Sequence, residues 1–415
     1  MKNVPDYRCG RDCPHDLAEM LVCLVDGYMH GRQSVSRAIE WCRNNVEVLK
    51  KHMKLEHGIA SKSTYSRMLG GIDEEMFALC FMEWIAEIVR ERGMHIAIDG
   101  KALRGATERI KGKAAPCVLN AIDAATGLVL GQLAIDEKTN EITSIPKLLE
   151  FLEIEDNVFT IDAIGTQKNI ERMIVDGGGH FVLQVKKNNP SLYDEIMDSF
   201  DALEKENRLK KDEQSRRLRP YLEKYDCWEK TEKNRERIEY REFEACRDAS
   251  FLDCVSQGEL PFIKSVALAT QVRIPIEKDP DGNDITVGKD EFLKNGSNRK
   301  HNKTEGDGVK DDIQRIGLIS DLDIGAREMA EYKRNHWKIE NSLHHVLDDV
   351  LREDRSNARK SKNNLALIRK YAYNLLKIAL DREHPGRGIQ WMIDYVSDHP
   401  GTAEKYIFEK LESFY

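Results

Sequence analysis

The sequence lacks a run of apolar residues long enough to cross a lipid bilayer, which excludes a membrane-spanning protein. Its first sixteen residues also lack the apolar core of a secretory signal. We therefore expect a cytoplasmic protein in a reducing compartment, with no membrane among its partners.

A disulfide framework is also missing, because the nine cysteines are an odd number and are scattered without regular spacing. Cys9 and Cys13 with His15 suggest a metal site. Their spacing does not match a zinc knuckle, however, and no second pair of ligands follows. We therefore expect neither a disulfide scaffold nor a structural zinc site.

An excess of positive charge is absent as well, since the formal net charge is −8. This excludes a protein covered uniformly by basic residues, but a local basic groove remains compatible with nucleic-acid binding. The chain has 415 residues, of which 40% are hydrophobic and 33% are charged. That length is enough for about two or three globular domains.

Two short apolar strands are each predicted to end in an aspartate. His95–Ile98 leads into Asp99 and Gly100, and Val158–Ile161 leads into Asp162. A carboxylate at the end of a strand lies at the rim of a sheet, where it is free to bind a metal ion. One aspartate before a glycine is more often an ordinary turn residue, but here the pattern recurs.

A third carboxylate, Glu340, lies in a predicted helix over residues 326–350 that has an apolar stripe at helical spacing. Two aspartates and one glutamate supply the oxygen ligands that two divalent metal ions need around a phosphodiester. We therefore predict a metal site formed by Asp99, Asp162 and Glu340.

The order of the predicted elements indicates the fold. Residues 15–92 are predicted to be helical and include many basic residues, so a DNA-end-binding domain and a solvated helical bundle both fit them. The strands that follow are predicted at 95–98, 117–123, 128–135, 158–162 and 180–185, with helices at 141–152 and 166–176. Three strands, then helix, strand, helix and strand is the order of a ribonuclease-H-like fold, in which the first and fourth strands lie side by side.

We therefore predict an α/β protein with a ribonuclease-H-like mixed-sheet core, an N-terminal helical domain and a partly β insertion subdomain. The insertion is expected because charged and polar stretches, with two possible strands among them, separate the second aspartate from the glutamate. The predicted segments are an N-terminal domain (1–92), the first part of the core (93–189), the insertion (190–314), the second part of the core (315–382) and a C-terminal extension (383–415).

Three long blocks of sequence resemble a known family. They are IAIDGKALRG (96–105), TIDAIGTQK (160–168) and RNHWKIENSLHHVLDDVLREDRSNAR (334–359). These blocks resemble the DDE transposases of the H-repeat-associated type, within the insertion-sequence-four superfamily. HGIASKSTYSRML (57–69) resembles the lead-in domain of that family, so the similarity extends over most of the chain.

The resemblance implies a function. It implies metal-dependent DNA cleavage and strand transfer at insertion-sequence ends, with Asp99, Asp162 and Glu340 as the catalytic and metal-binding triad. Two Mg²⁺ ions, or Mn²⁺ in their place, are the implied cofactors. Double-stranded DNA, as transposon ends and target, is the implied partner of a homodimer assembled on DNA. The alternatives are a ribonuclease-H-like nuclease that cuts without joining and a catalytically silent DNA-binding relic of a transposon.

Three departures from the family pattern concern DNA contacts rather than the triad. His345 stands where the family leads us to expect tryptophan, and Asp348 with Asp349 forms a doubled acid where one is usual. No lysine lies two turns after Glu340.

Basic and aromatic residues near the triad are the expected DNA contacts. We expect Lys101 and Arg104 to contact phosphates. For His336 and Trp337, packing of the helix competes with DNA contact, and for Trp337 that contact is stacking on a base. The basic segment 352–377 is expected to add an exposed cationic surface, whereas Asp348 and Asp354 are expected to be solvated. The complete set of expected DNA contacts is Lys101, Arg104, Gln167, Lys168, Lys186, Arg334, His336, Trp337, Arg355, Arg359 and Lys360.

Overall fold

The chain folds as two units, and the first is built from both ends of the sequence. In this computed structural model the first unit combines Met1–Val158 with Asn335–Tyr415, and the second unit is Phe159–Arg334. The residues described are 1–8, 13–89, 93–103, 117–135, 141–233, 236–278, 284–285, 288–289, 292, 313–355, 361–399 and 401–408.

Helices fill the N-terminal part of the first unit, as the apolar spacing predicts. They are α1 (Leu17–Met29), α2 (Val35–Asn44), α3 (Val46–Leu49), α4 (Lys62–Gly71) and α5 (Glu74–Ile88). Four of them begin at a side chain that accepts a hydrogen bond from the backbone N–H three residues further on, namely Asp16, Ser34, Ser61 and Asp73.

The first unit also contains a three-stranded antiparallel sheet in the order β3-β2-β1. Its strands are β1 (His95–Ala102), β2 (Cys117–Asp123) and β3 (Val129–Ile135), and α6 (Glu141–Leu149) follows. β2 has the predicted bounds. β1 is longer than predicted, because its pairing with β2 continues to Ala102. Asp99 therefore lies inside a strand, opposite Asn120, and the prediction that it ends a strand is wrong.

The segment that contains Glu340 is π-helical over Ile339–His344 and Val346–Val350. The backbone N–H of His345 donates to the carbonyl of Glu340, five residues earlier, and Leu351 donates likewise to Val346. The predicted helix over 326–350 is thus α-helical only as far as His336, and in the π-helical turns each hydrogen bond encloses one residue more than in an α-helix. π-helical turns are rare and occur frequently at functional sites.

Three helices complete the first unit after a short 3₁₀ turn (Glu353–Arg355). They are α12 (Lys362–Glu383), α13 (Ile389–Asp398) and α14 (Thr402–Phe408). α12 packs on α1 and α5 and is buried along most of its length. Its Tyr371 ring lies 4.8 Å, centroid to centroid, from both Phe81 and Trp84 of α5. The C-terminal helix α12 is thus part of the same core as the N-terminal helices.

The second unit contains six strands in the order β4-β5-β11-β8-β7-β6. Their bounds are β4 (Val158–Ile161), β5 (His180–Val185), β6 (Tyr225–Lys233), β7 (Arg237–Cys246), β8 (Ser265–Pro275) and β11 (Ile313–Ser320), and a separate short pair consists of β9 (Glu277–Lys278) and β10 (Asp284–Ile285). The helices are α7 (Lys168–Asp176), α8 (Pro190–Asn207), α9 (Arg219–Leu222), α10 (Asp253–Ser256) and α11 (Ala326–His336). β5 has the predicted bounds.

Both units combine helices with β-sheet, which confirms the predicted mixed α/β class. In the second unit β11 pairs with β5 on one side and β8 on the other, so strands of the predicted insertion share a sheet with β5. The ribonuclease-H-like arrangement and the five-segment division stay predictions. No helix in the described ranges is long and apolar enough to cross a membrane.

Candidate active site

The Asp99 carboxylate lies partly buried beside an amide and an imidazole. Asp99 and Asn120 are paired across β1 and β2, so their side chains share one face of the sheet. His344, from the π-helical segment, approaches both of them. Its Nδ1 is 3.7 Å from Asp99 Oδ2, and its Nε2 is 3.3 Å from Asn120 Nδ2. The first predicted catalytic carboxylate therefore lies against the segment that contains Glu340.

His344 is a residue that the sequence interpretation missed. It follows Glu340 by four positions, so the two side chains lie on neighbouring turns of one helical segment. Burial, together with the positive charges of Lys101 and Lys370, lowers the pKa of His344 to about 3. The imidazole is therefore neutral at physiological pH. The sequence signal that points to His344 is its position in the third sequence block, one turn after Glu340.

Glu340 is exposed on the π-helical segment, and the neighbouring Trp337 orients it. Trp337 Nε1 donates a hydrogen bond of 2.7 Å to Glu340 Oε2. The Trp337 residue remains 46% exposed, so part of its indole is accessible for stacking on a base. His336 is only 7% exposed, which favours packing and contradicts its prediction as a DNA contact.

Lys101 is buried, and this corrects the prediction that it contacts a DNA phosphate. Its Nζ lies 2.5 Å from Asp348 Oδ1 and 3.0 Å from Glu353 Oε2. Burial by itself would lower the pKa of Lys101, but Glu353 and Asp348 raise it above the usual value, so the ammonium stays charged. The prediction that Asp348 is merely solvated is also wrong, because its carboxylate accepts a hydrogen bond from Lys101.

Two basic residues of α12 lie inside the first unit rather than on a DNA-binding surface. Lys370 is 0% exposed and Arg369 is 2% exposed. Lys370 Nζ donates a hydrogen bond of 2.6 Å to Gln132 Oε1 on β3. The predicted cationic surface over 352–377 is therefore wrong for these two residues. Arg355 is exposed and stays a predicted DNA contact.

In the second unit, Asp162 follows β4 directly and forms an ion pair with Lys186. Lys186 Nζ lies 2.6 Å from Asp162 Oδ1, and the two side chains are 41% and 40% exposed. Lys333 of α11 belongs to the same charged neighbourhood. Burial is the main cause that lowers the pKa of Lys333 to about 8, and the positive charge of Lys186 lowers it further. The Asp162 carboxylate is thus accessible to solvent, and its negative charge is already paired with the ammonium group of Lys186.

The other described candidates for DNA contact are on the surface. Lys168 Nζ lies 3.7 Å from Glu259 Oε2, and Arg334 Nη1 lies 3.4 Å from Glu232 Oε1. Exposed ion pairs of this kind are weak, so either cation can exchange its partner for a phosphate. Gln167 is partly exposed just before α7. Three further candidates lie outside the described residues, namely Arg104, Arg359 and Lys360.

The donor chemistry of the three carboxylates fits a hard divalent cation, because Mg²⁺ prefers oxygen ligands. Within the described ranges, no group of three or more His, Cys, Asp or Glu side chains is arranged to hold a metal ion. A joint metal site of Asp99, Asp162 and Glu340 therefore stays a prediction.

A large cavity in the first unit lies apart from these residues. It has a volume of about 1460 Å³ and is lined by N-terminal helices together with Tyr371 of α12 and Tyr406 of α14. None of Asp99, Lys101 and Glu340 lines it. The candidate site is therefore a partly open surface of polar side chains rather than this cavity.

The sequence matches two models of protein families. Residues 91–375 match the transposase DDE domain, and residues 1–85 match the domain associated with it. The chain belongs to the transposase DDE-domain family. This membership confirms the predicted enzyme class, a DNA transposase.

The DDE transposase is similar to bacterial relatives over most of its length. YncI of Escherichia coli O157:H7, whose name describes it provisionally as a transposase, is 29% identical over 381 residues, or 91% of this chain and 86% of that protein. YhhI of Escherichia coli strain K12, whose name describes it as H repeat-associated and provisionally as a transposase, is 27% identical over 376 residues. That alignment covers 90% of this chain and 88% of YhhI. These relatives confirm the resemblance to the H-repeat-associated type.

A solved structure shows only a distant likeness. The cryo-EM structure of a piggyBac transposase synaptic complex with hairpin DNA aligns with a TM-score of 0.38 at 11% identity. The alignment covers 78% of this chain and 55% of that chain. A TM-score this low does not establish a shared fold.

Proposed function

We propose that this transposase cleaves DNA at the ends of an insertion sequence and joins them to target DNA by in-line phosphoryl transfer. The supporting observation is that Asp99, Asp162 and Glu340 are solvent-accessible carboxylates within the segment that matches the DDE domain. Carboxylates that remain accessible to solvent can bind metal ions without unfolding their surroundings.

Each of these carboxylates has a polar neighbour that limits its orientation. Trp337 donates a hydrogen bond to Glu340, and Lys186 donates one to Asp162. His344 lies beside Asp99. Ligands that are oriented in advance bind a metal with less loss of conformational freedom, which supports a functional interpretation of all three.

In this proposal Asp99, Asp162 and Glu340 hold two Mg²⁺ ions, for which Mn²⁺ can substitute. When bound, such ions lower the pKa of an attacking water or 3′-hydroxyl and stabilise the leaving oxygen. The protein supplies the oxygen ligands, and a neutral imidazole at His344 adds no positive charge beside Asp99. Release of Lys186 from Asp162 frees that carboxylate for a cation.

Double-stranded DNA is the proposed partner, both as transposon ends and as target, and a homodimer assembled on DNA is the proposed active form. Exposed cations orient DNA through its phosphates without reading the sequence. The proposed contacts are Gln167, Lys168, Lys186, Arg334, Arg355 and, outside the described residues, Arg104, Arg359 and Lys360. Trp337 is proposed to stack on a terminal or flipped base. Sequence-specific reading is assigned to the N-terminal helices.

The test uses duplex DNA that flanks the gene, incubated with the full chain and Mg²⁺, with cleaved and joined products separated on denaturing gels. We expect Asp99→Asn, Asp162→Asn and Glu340→Gln each to reduce both products to background, because each removes a metal ligand. DNA binding in a gel-shift assay and the circular dichroism spectrum should remain those of the unaltered chain. Asp349→Asn is the matched control, since this exposed carboxylate lies on the same π-helical segment as Glu340 and should retain activity.

Three results would contradict the proposal in different ways. Full cleavage by Asp99→Asn would reject the triad. Cleavage without joined products by the unaltered chain would indicate a nuclease. DNA binding without Mg²⁺-dependent cleavage would indicate a silent relic of a transposon.

A further inference from the structure

A group of buried and half-buried charges lies next to Asp99 in the first unit and has no part in the function proposed above. We name it the Lys101 network, and its members are Lys101, Asp348, Glu353, Asp354, Arg369 and Lys370. Lys101 Nζ is its centre, at 2.5 Å from Asp348 Oδ1, 3.0 Å from Glu353 Oε2 and 3.9 Å from Asp354 Oδ1. The network therefore joins β1 to the π-helical segment and to the 3₁₀ turn that follows it.

At its other end the network reaches α12 and β3. Burial by itself would raise the pKa of Glu353, but the positive charges of Lys370, Lys101 and Arg369 hold it below its usual value. Glu353 is therefore ionised between cations from β1 and α12. Lys370 donates a further hydrogen bond to Gln132 on β3. Ion pairs, charge attraction and a hydrogen bond thus connect two strands of the sheet with the π-helical segment, the 3₁₀ turn and α12.

Burial of these ions does little for stability. Lys101 is 5% exposed, Glu353 is 4% exposed and Lys370 is 0% exposed. Removing ions from water carries a large desolvation cost, and apolar replacements of buried ion pairs are often neutral or stabilising. Short ion pairs with fixed directions instead define where the joined segments lie.

The placement of the Lys101 network relative to the carboxylates indicates what it fixes. Lys101 follows Asp99 by two positions on β1, so the two side chains point to the same face. Asp348 follows Glu340 by eight positions on the π-helical segment. His344, between them in sequence, lies 3.7 Å from Asp99. Any slippage of this segment along β1 would therefore move Glu340 relative to Asp99.

We propose that Lys101 is a positioning residue of the transposase, which holds the π-helical segment of Glu340 against the strand of Asp99 through Asp348 and Glu353. This inference rests on the proposed function, because it assumes that Asp99 and Glu340 bind metal. It assigns Lys101 to the geometry of the metal ligands and not to DNA. An ammonium with 5% exposure, paired with carboxylates, does not reach a phosphate.

The test removes the connection while leaving the charges balanced. In Lys101→Met/Asp348→Asn one positive and one negative charge are lost, and the positive charges of Lys370 and Arg369 still favour ionised Glu353. We measure Mn²⁺ binding to the full chain by electron paramagnetic resonance of the free ion, together with unfolding by urea and DNA binding by gel shift. Lys50→Met is the matched control, since it removes a cation from an exposed ion pair of the first unit.

We expect Mn²⁺ affinity of the double variant to fall by about 10- to 100-fold, the usual effect of changing a residue that orients metal ligands. The Mg²⁺ concentration needed for half-maximal cleavage should rise in parallel. DNA affinity and its salt dependence should change little, whereas the urea midpoint should fall, because Glu353 stays buried without the cation that lies 3.0 Å from it. Asp348→Asn alone serves if the double variant does not fold, because this side chain is 30% exposed, and its Mn²⁺ affinity should also fall.

Unaltered Mn²⁺ affinity in a folded variant would overturn the positioning role. Weaker DNA binding with intact Mn²⁺ affinity would also overturn it and restore Lys101 as a phosphate contact. Asp99→Asn separates this inference from the proposed function. If Asp99→Asn binds Mn²⁺ like the unaltered chain, the metal site itself is wrong. If Asp99→Asn loses Mn²⁺ while the double variant keeps it, only the positioning role is wrong.

Discussion

Glu171 on α7 is a carboxyl group whose burial makes the stability of the second unit depend on pH. It is 2% exposed, on the helix face that also buries Ile170 and Ile174. Burial raises the pKa of Glu171 from 4.5 to about 7, and the nearby Lys168 offsets this only in part. Replacement by glutamine keeps the size and polarity of the side chain while removing the charge. We therefore expect Glu171→Gln to stabilise the protein at neutral and alkaline pH.

The magnitude follows from the two pKa values. The difference between 7 and 4.5, at about 1.36 kcal/mol per pKa unit, gives about 3 kcal/mol. Below about pH 4.5 the carboxyl group is protonated in folded and unfolded chains alike, so the substitution changes nothing there. As pH rises from 4.5 to 7 the unfolded chain ionises first, and the folded state loses stability progressively. Above about pH 7 the loss is complete and the variant keeps its full advantage of about 3 kcal/mol.

Urea unfolding of both proteins at several pH values between about 4 and 8 measures this difference. Hydrogen exchange of the α7 amides, followed by mass spectrometry, assigns the change to the second unit. Asp176→Asn is the matched control, because Asp176 lies at the exposed end of the same helix. An advantage of Glu171→Gln that is the same at pH 4 and pH 8 would refute the reasoning, since it would come from packing rather than from ionisation.

Two further predictions concern packing and DNA. Gly27→Ala should destabilise the first unit by about 1–3 kcal/mol in urea unfolding, despite the better helix propensity of alanine, because the new Cβ would lie 2.5 Å from Ala38 Cβ and 2.8 Å from its Cα. Gly27→Ala/Ala38→Gly should recover only part of the loss, because the Cα of residue 38 stays 2.8 Å from the new Cβ. Unchanged stability of the single variant would contradict this cause. Neutralising Arg355, Arg359 and Lys360 together should weaken binding to all DNA sequences alike and reduce the salt slope by about one per lost phosphate contact. Unchanged affinity and slope in gel shifts at several salt concentrations would show that these residues form an ordinary solvated surface.

The strands that are most fully determined by local sequence were predicted with correct bounds. Cys117–Asp123 and His180–Val185 are apolar runs, and the second follows a stretch of three glycines. A buried strand and the turn before it can both be predicted from such local sequence, without knowledge of the rest of the fold. The same reasoning ended β1 too early, because the polar residues after Ile98 suggested a turn, whereas they pair with β2.

The environment of the candidate site depends on residues that are distant in sequence. Lys101 and Asp348 are 247 positions apart, so no local pattern predicts that they pair. The position of Lys101 beside a predicted catalytic carboxylate, and that of Arg369 and Lys370 in a basic segment, favour DNA contact in the sequence, because charged side chains are seldom buried without partners. The identity of the three carboxylates, by contrast, was available from the sequence blocks alone. What the sequence left out was which neighbours surround them.

The construction of the first unit from both ends of the chain has a consequence for protein synthesis. α1 packs on α12, and Lys362 follows Met29 by 333 positions. At about 5–20 residues per second, the ribosome needs roughly 20–70 s to make that intervening chain. During this time α1, whose Leu21 and Leu24 are fully buried in the finished protein, lacks one of the helices on which it packs. The second unit is complete once Arg334 has been synthesised, so it can fold before the N-terminal helices of the first unit have their full core. We therefore expect the nascent N-terminal helices to bind chaperones during synthesis.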